Sequence, residues 1–161
     1  MRSNSTAESA IHIALLLAAA SRDGELAAQD LADFHDLSRL TLGKVLQQLK
    51  AAGVVASSPG RAGGYRLARD AREISVLDIV LALDGVEPKF FCREIRKNGP
   101  CRASSGYSKR CAVARTMDAA TQAWRASLAA TSLDDLMDMT GQEAPRETLR
   151  STVDWLSSHV R

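Results

Sequence analysis

The sequence predicts a mainly α-helical fold with one small β-hairpin, and three observations lead to this prediction. Apolar residues recur at three- and four-residue spacing along most of the chain. Two short extended runs flank a single glycine-rich turn near residues 59–64. The composition, 45% hydrophobic and 25% charged over 161 residues, suits one modest core. We therefore expect a globular protein built mostly from helices.

The first helix is predicted over residues 7 to 20, with Ser5 or Thr6 as its cap. Its residues are apolar nearly all round, which is typical of a helix buried on most faces. The apolar run is eleven residues long, from 10 to 20. It is far shorter than the roughly 20 residues that span a bilayer, and its flanks fit a signal peptide poorly. We therefore expect a cytoplasmic protein.

The next elements form one compact pattern. Leu42, Val45, Leu46 and Leu49 recur at helical spacing and define the inner side of a helix. Helix, short break, helix and hairpin, in that order, is the layout of a winged helix-turn-helix domain. The predicted elements are a helix over 28–35, a break at 37–38, a helix capped by Ser38 and ended by Gly53, and strands over 54–57 and 65–67 around a turn at 59–64.

Four further helices are predicted after the hairpin. Ser75 and Asp78 have capping-box spacing, and Gly85 closes the helix that they begin. Residues 86 to 110 lack periodicity and are predicted to form a long loop. A second capping box, Ser132 with Asp135, begins a shorter helix, and the spacing of apolar residues over 149–160 predicts a last one. Between the long loop and the second capping box, a long helix is predicted from a stripe of apolar residues at helical spacing. The stripe consists of Val113, Met117, Ala120, Trp124 and Leu128.

Charge is segregated along the chain. From Ser38 to Arg69 there are six Arg or Lys residues and no Asp or Glu, although the net charge of the chain is only +2. This imbalance coincides with the second helix of the pair and with the hairpin, so it predicts an extended polyanion as the partner. Double-stranded DNA is the natural candidate.

A recognition helix presents outward polar side chains to base edges and phosphates, while a glycine-turned wing brings positive charge to the backbone or minor groove. Taken singly, each of these polar residues also fits the solvated side of an amphipathic helix, and Tyr65 fits equally well as a packing residue at the hairpin base. The residues predicted to contact DNA are Arg39, Thr41, Lys44, Gln48, Arg61, Gly63, Gly64, Tyr65 and Arg66.

Cys92, Cys101 and Cys111 all lie in or beside the polar loop. Their spacing, C-x8-C-x9-C, is wider than that of zinc-binding cysteine pairs, and the chain has no fourth cysteine. Eight Arg or Lys against the single acid Glu94, between Lys89 and Arg115, favour thiolates there. We interpret the cysteines as metal ligands more readily than as inert thiols.

Glu8 and His12 are spaced i and i+4, so both side chains leave the first helix on one face. Alone, such a pair is more typical of a surface interaction than of a metal site. The pair becomes a candidate metal site only if the fold brings the cysteine loop close to it.

The sequence resembles the IscR/NsrR/RsrR family of winged-helix regulators over residues 7 to 140. The resemblance rests on "GRAGGYRLAR" at 60–69, "ISVLDIVLALDG" at 74–85 and three cysteines before "AVARTMDAATQAWRASLAATSLDDLM". The segments "ESAIH", "FFCREIRKNGP" and "AWRASLAAT" are most similar to the redox-sensing RsrR-type branch.

This resemblance implies a homodimeric transcriptional regulator that binds partly palindromic DNA and senses redox state, nitric oxide or iron. It implies a [2Fe-2S] cluster held by Glu8 and His12 of one subunit and two cysteines of the other, with Cys111 the surest and the choice between Cys92 and Cys101 open. The implied organisation is a winged helix-turn-helix DNA-binding domain at 1–85, a cluster-binding loop at 86–111, and a long dimerisation helix with C-terminal helices at 112–161.

Three other functions are compatible with parts of the sequence. One is a repressor of the same family that senses a small molecule or cysteine oxidation without a metal. Another is an adaptor whose wing binds protein instead of DNA. A zinc-dependent enzyme is disfavoured, because the sequence contains no Ser/His/Asp-type arrangement, phosphate-binding loop or HExxH motif.

Overall fold

A computed structural model describes residues 4–20, 24–60, 63–85, 90–100, 102 and 104–161. Within these residues the fold is mainly helical with one small antiparallel sheet, as predicted. The helices and strands, in chain order, are α1 Asn4–Ala19, α2 Ala28–Phe34, α3 Arg39–Ala51, β1 Val55–Ser57, β2 Tyr65–Leu67, α4 Val76–Asp84, α5 Ala112–Ala129, α6 Leu133–Glu143 and α7 Arg146–His159. Short 3-10 turns occur at Ala71–Glu73 and Ile95–Lys97.

Helix α1 is the centre of the core and packs against α3, α4, α6 and β2. Ala10, Ile13 and Leu17 of α1 are buried, as its apolar sequence predicts. The predicted cap at Ser5 or Thr6 is wrong, because α1 begins at Asn4 and includes both residues. No glycine or proline stands in this segment to stop the helix from starting earlier.

The ends of α3 are fixed as predicted. The Ser38 hydroxyl accepts a hydrogen bond from the backbone N–H of Thr41 at 3.1 Å. At the other end, the N–H of Gly53 donates to the carbonyl of Lys50, and the N–H of Val54 donates to the carbonyl of Leu49. This Schellman arrangement needs a left-handed residue, and Gly53 has φ +68°. Helix α3 is therefore held in a fixed direction after the break that follows α2.

The wing is the β1–β2 hairpin, in which Val55 lies opposite Leu67 and Ser57 lies opposite Tyr65. Leu26 forms an isolated β-bridge with the hairpin, because its backbone exchanges two hydrogen bonds with Tyr65, at 3.0 and 2.8 Å. A pairing of one residue has no periodicity, so the sequence could not have predicted it. The base of the wing is therefore tied to the segment that precedes α2.

Both predicted capping boxes are present, Ser75 with Asp78 at α4 and Ser132 with Asp135 at α6. Ser75 and Ser132 also pair in an isolated antiparallel bridge. The two helix starts therefore lie side by side, and the junction between α5 and α6 is attached to α4.

Helix α7 returns to the first helices. Leu156 is buried, and the Trp155 ring lies 4.7 Å from Phe34 and stacks on His159 at 4.1 Å. His35 meets Phe34 edge-on at 4.9 Å. Both His35 and His159 are half-buried, and their rings belong to this aromatic cluster.

Among the described residues, none of the helices has the length and apolar character that crossing a membrane requires.

Candidate DNA interface and cysteine loop

The outward face of α3 carries the residues predicted to read DNA. Arg39, Lys44 and Gln48 are exposed, while the inward Leu42 and Leu46 are buried. The sequence pattern thus assigned the two sides of this helix correctly. Arg39 is the first residue of α3, where the helix dipole also favours a phosphate.

Two of the predicted contacts already have partners within the chain. The Thr41 hydroxyl is hydrogen-bonded to the Ser38 hydroxyl at 2.8 Å. The Gln48 amide donates to the carbonyl of Leu83, at the end of α4, at 3.4 Å. Their roles in base contact stay predictions, and each must exchange or share its present partner to reach a base.

Gly63 and Gly64 are required by the wing itself. A Cβ on Gly63 would lie 2.2 Å from the carbonyl oxygen of Ser58, and a Cβ on Gly64 would lie 2.7 Å from that of Leu26. Gly64 therefore lets the wing approach the Leu26 segment. Arg61, predicted to bring charge to the wing tip, lies outside the described residues.

Arg66 and Tyr65 both make contacts within the chain. The Arg66 guanidinium lies 3.4 Å from the Glu25 carboxylate, which also accepts a hydrogen bond from the Ser58 hydroxyl. Tyr65 is half-buried and packs against the hydrophobic core. Sequence reasoning missed Glu25, since the acid lies outside the basic segment.

Cys111 is the residue before α5, and its side chain is buried. The backbone N–H of Ala114 and, to a lesser extent, that of Val113 and the charge of Arg96 lower the pKa of the Cys111 thiol. The start of the helix therefore favours the thiolate, which is the form that binds metals. The role of Cys111 as a ligand stays a prediction.

Cys92 is half-buried and lines an open depression together with Phe90, Phe91, Glu94, Arg110 and Asp118. Cys101 lies outside the described residues, so the choice between Cys92 and Cys101 stays open. The predicted loop is confirmed in the described parts of 86–110, apart from the 3-10 turn at Ile95–Lys97.

Arg96 links several parts of the loop. It forms an ion pair with Glu94, donates to the carbonyl of Lys109 at 3.1 Å, and lies 4.2 Å from the centre of the Tyr107 ring. The Tyr107 hydroxyl in turn donates to the carbonyl of Arg96 at 2.8 Å. Sequence reasoning counted Arg96 only as one of many charges, because its contacts depend on the folded loop.

Glu8 and His12 are both exposed on α1. The His12 ring lies 6.1 Å from that of His35. Burial, and then the charge of His12, lower the pKa of His35. Within the described residues of a single chain, no three His, Cys, Asp or Glu side chains come together as a metal site.

The apolar stripe of α5 faces away from the rest of the chain except at its last residue, Leu128. Ala114 and Leu128 lie towards the body, whereas Val113, Met117 and Trp124 are 61%, 40% and 39% exposed. The stripe begins two residues after Cys111. An exposed apolar face of this length on a long helix is typical of an interaction surface.

Comparison with known proteins identifies the family. The sequence profile of the Rrf2 family, described as "Iron-dependent Transcriptional regulator", matches residues 3–139. The chain is 28% identical to the YffB protein of Lactococcus lactis over 140 residues, covering 87% of this chain and 89% of that protein. It is 36% identical to the HTH-type transcriptional regulator IscR of Photobacterium profundum, over 52% of this chain and 49% of IscR.

The solved structure of T. potens IscR superposes with a TM-score of 0.66 at 20% identity, over 92% of this chain and 96% of that structure. At that identity the likeness concerns the fold, which is that of the winged-helix regulators. Members of the family matched by the profile are DNA-binding transcriptional regulators and not enzymes. This chain belongs to the Rrf2 family of transcriptional regulators.

Proposed function

We propose that this regulator is a homodimer that senses redox state, nitric oxide or iron through a [2Fe-2S] cluster, in the manner of the RsrR-type branch. Glu8 and His12 of one subunit and Cys111 of the other, with either Cys92 or Cys101, hold the cluster. DNA is bound through α3 and the wing, on a partly palindromic operator.

The single observation that carries this proposal is the position of Cys111. Its thiol lies at the start of α5, two residues before an apolar stripe that the rest of the chain leaves exposed. A second subunit that covers the stripe therefore comes close to Cys111. Ligands from both subunits can meet there, although a single chain does not bring three of them together within its described residues.

The donors also fit the chemistry of the cluster. The pKa of Cys111 is lowered by backbone N–H groups, which favours the thiolate that iron requires. Glu8 and His12 are exposed, so their side chains are available to a partner. When bound, a [2Fe-2S] cluster supplies a one-electron redox change whose potential depends on its ligands and on nearby charge.

The residues of the loop have a distinct part in this proposal. Arg96 joins Glu94, Tyr107 and the Lys109 carbonyl, so it holds the loop in shape beside Cys111. Its positive charge also favours an anionic group at the thiol. A change in how His12 or Cys111 binds the cluster is transmitted to the pairing of the two α5 helices, because both residues lie at the proposed contact between the subunits.

Anaerobic purification tests the proposal directly. Iron, sulfide and visible absorbance per chain are measured for the native protein and for Cys111→Ser, His12→Ala, Cys92→Ser and Cys101→Ser. The native protein should be coloured, with two irons per bound cluster. Cys111→Ser should be colourless, and only one of the two other cysteine variants should lose the colour.

Ser104→Ala, in the loop but outside the donor set, is the matched control and should keep the native iron content. Colourless native protein with no iron would refute the cluster. A gel shift on the upstream region of its own gene, repeated at several salt concentrations, tests DNA binding independently of iron.

The second candidate is a family regulator without a cluster that responds to thiol oxidation. The lowered pKa of Cys111 also favours this chemistry, because the thiolate is the nucleophile that attacks a peroxide, forming a sulfenic acid as the O–O bond breaks. Iron-free native protein whose DNA binding changes with oxidant, and no longer changes in Cys111→Ser, would establish it.

A further inference from the structure

Leu40 has an unusual environment for a leucine in this fold. It is the second residue of α3, and its side chain is 71% exposed. The other leucines of α3, at positions 42, 46 and 49, are all at most 2% exposed. Leu40 therefore contributes little to the core, and its exposure is not explained by packing within the chain.

The surroundings of Leu40 are those of a DNA-reading surface. Exposed Arg39 and Lys44 lie beside it on α3, and both attract phosphate. Gly43, one turn further along the same face, presents no side chain, and a Cβ built there would meet nothing within 4 Å. The helix surface next to Leu40 is thus open to the close approach of a flat partner.

The polar residues of α3 leave this position free for an apolar contact. Thr41 is hydrogen-bonded to Ser38, and the Gln48 amide donates to the Leu83 carbonyl. In helix-turn-helix proteins, residues near the start of the recognition helix contact base edges in the major groove. Leu40 occupies such a position.

The apolar group that the major groove displays is the C5-methyl group of thymine. We propose that Leu40 is a specificity-determining residue that recognises a thymine methyl group in each half-site of the operator. The inference rests on the proposed DNA binding through α3, and it adds the base that this helix selects.

The contact has a defined size. Removing one methyl group from an apolar contact weakens binding by about fourfold, from the free energy of burying one carbon. A dimer that contacts two half-sites should lose about this factor twice, or roughly sixteenfold, when both thymines are altered. Hydrogen bonding to the base edge is not involved.

Thymine and uracil differ only by this methyl group, so exchange of one for the other isolates the contact. Full-length protein, isolated anaerobically, is used to enrich bound sequences from a randomised duplex pool. Each thymine of the enriched site is then replaced singly by deoxyuridine, and affinity is measured at fixed salt. We expect one thymine in each half-site to show the fourfold loss.

The variant Leu40→Ala tests the protein side of the same contact. Because both subunits of the dimer lose the contact, it should bind the thymine duplex roughly sixteenfold more weakly than the native protein, and it should bind thymine and deoxyuridine duplexes equally well. Because Leu40 is exposed, the variant should melt within a degree or two of the native protein. Val153→Ala, at a similarly exposed apolar position on α7, is the matched control and should keep the full methyl effect.

The outcomes separate the inference from the proposed function. Sequence-selective, salt-dependent binding in which no thymine shows a methyl effect overturns the role of Leu40 and leaves DNA binding through α3 intact. The role of Leu40 is likewise overturned if Leu40→Ala retains the methyl effect. Failure to enrich any duplex overturns both.

Discussion

At the scale of single residues, the glycines of the wing have a clear role in the fold. Gly63 and Gly64 were singled out from the sequence because they stand in a basic hairpin. The structure gives each of them a steric reason, since the backbone of Ser58 or Leu26 occupies the space of a side chain. Their contact with DNA stays a prediction, whereas their steric role in the wing is already present in the structure.

Gly64→Ala should destabilise the protein by about 1–3 kcal/mol, the usual cost of forcing extra atoms into a packed site. Its Cβ would stand 2.7 Å from the Leu26 carbonyl and 3.0 Å from the Glu25 side chain. Urea unfolding, followed by circular dichroism, measures the change.

Gly43→Ala is the matched control for this measurement. Gly43 lies within α3, and nothing is within 4 Å of a Cβ added there. This change should stabilise the protein by about 0.5–1 kcal/mol, because alanine is the better helix former. Equal effects of the two substitutions would show that the approach of the wing to Leu26 is not tight.

At the scale of secondary structure elements, the sequence predicted what depends on neighbours along the chain. Ser38, Gly53 and the two capping boxes are local signals, and each marks a helix end in the structure. Contacts between distant segments were not predictable in this way. The pairing of Leu26 with Tyr65 and the packing of Trp155 on Phe34 depend on the complete fold.

The candidate site shows the same division. Spacing along α1 and α3 predicted outward positions for Glu8 and His12 and for Lys44 and Gln48, and all four residues are exposed. The sequence did not indicate that Glu25 pairs with Arg66, or that Arg96 bridges the cysteine loop. Those contacts join residues that are far apart in sequence or lie in a loop without periodicity.

The α6 capping box predicts a specific pH dependence of stability. The Ser132 hydroxyl and then its backbone N–H donate to Asp135 and lower the pKa of that carboxyl below its ordinary value. A carboxyl whose pKa is lower in the folded state stabilises the fold above its unfolded pKa of about 3.9. This contribution is lost as pH falls through the lower, folded value.

Asp135→Ala should therefore lower Tm at pH 7, and the gap from the native protein should narrow below about pH 4. Thermal melts between neutral pH and about pH 3 measure the gap. Asp138→Ala removes an exposed carboxylate of the same helix outside the capping box and controls for the loss of charge. A gap for Asp135→Ala that stays constant over the whole range would contradict the capping contribution.

At the scale of the whole molecule, the body and the α5 stripe have different roles. The core around α1 buries the apolar faces of α2, α3, α4 and α6. By contrast, α5 uses only part of its surface against the body and leaves its apolar stripe exposed. In the proposed homodimer, this stripe is the surface that holds two winged domains at the spacing of successive half-sites.

Trp124→Glu tests this arrangement. A charge within the stripe has to be buried without a partner if two copies pair through α5, so the dimer should dissociate at least about thirtyfold more readily. Sedimentation equilibrium measures the association. Ala119→Glu adds the same charge to α5 at an exposed position outside the stripe and should leave the dimer intact.

Because the proposed ligands come from two subunits, Trp124→Glu should also lose iron in parallel with its dissociation, while its circular dichroism stays native. A dissociated variant that keeps its full iron content would place the cluster within one chain, and an undissociated variant would place the dimer contact elsewhere on the surface.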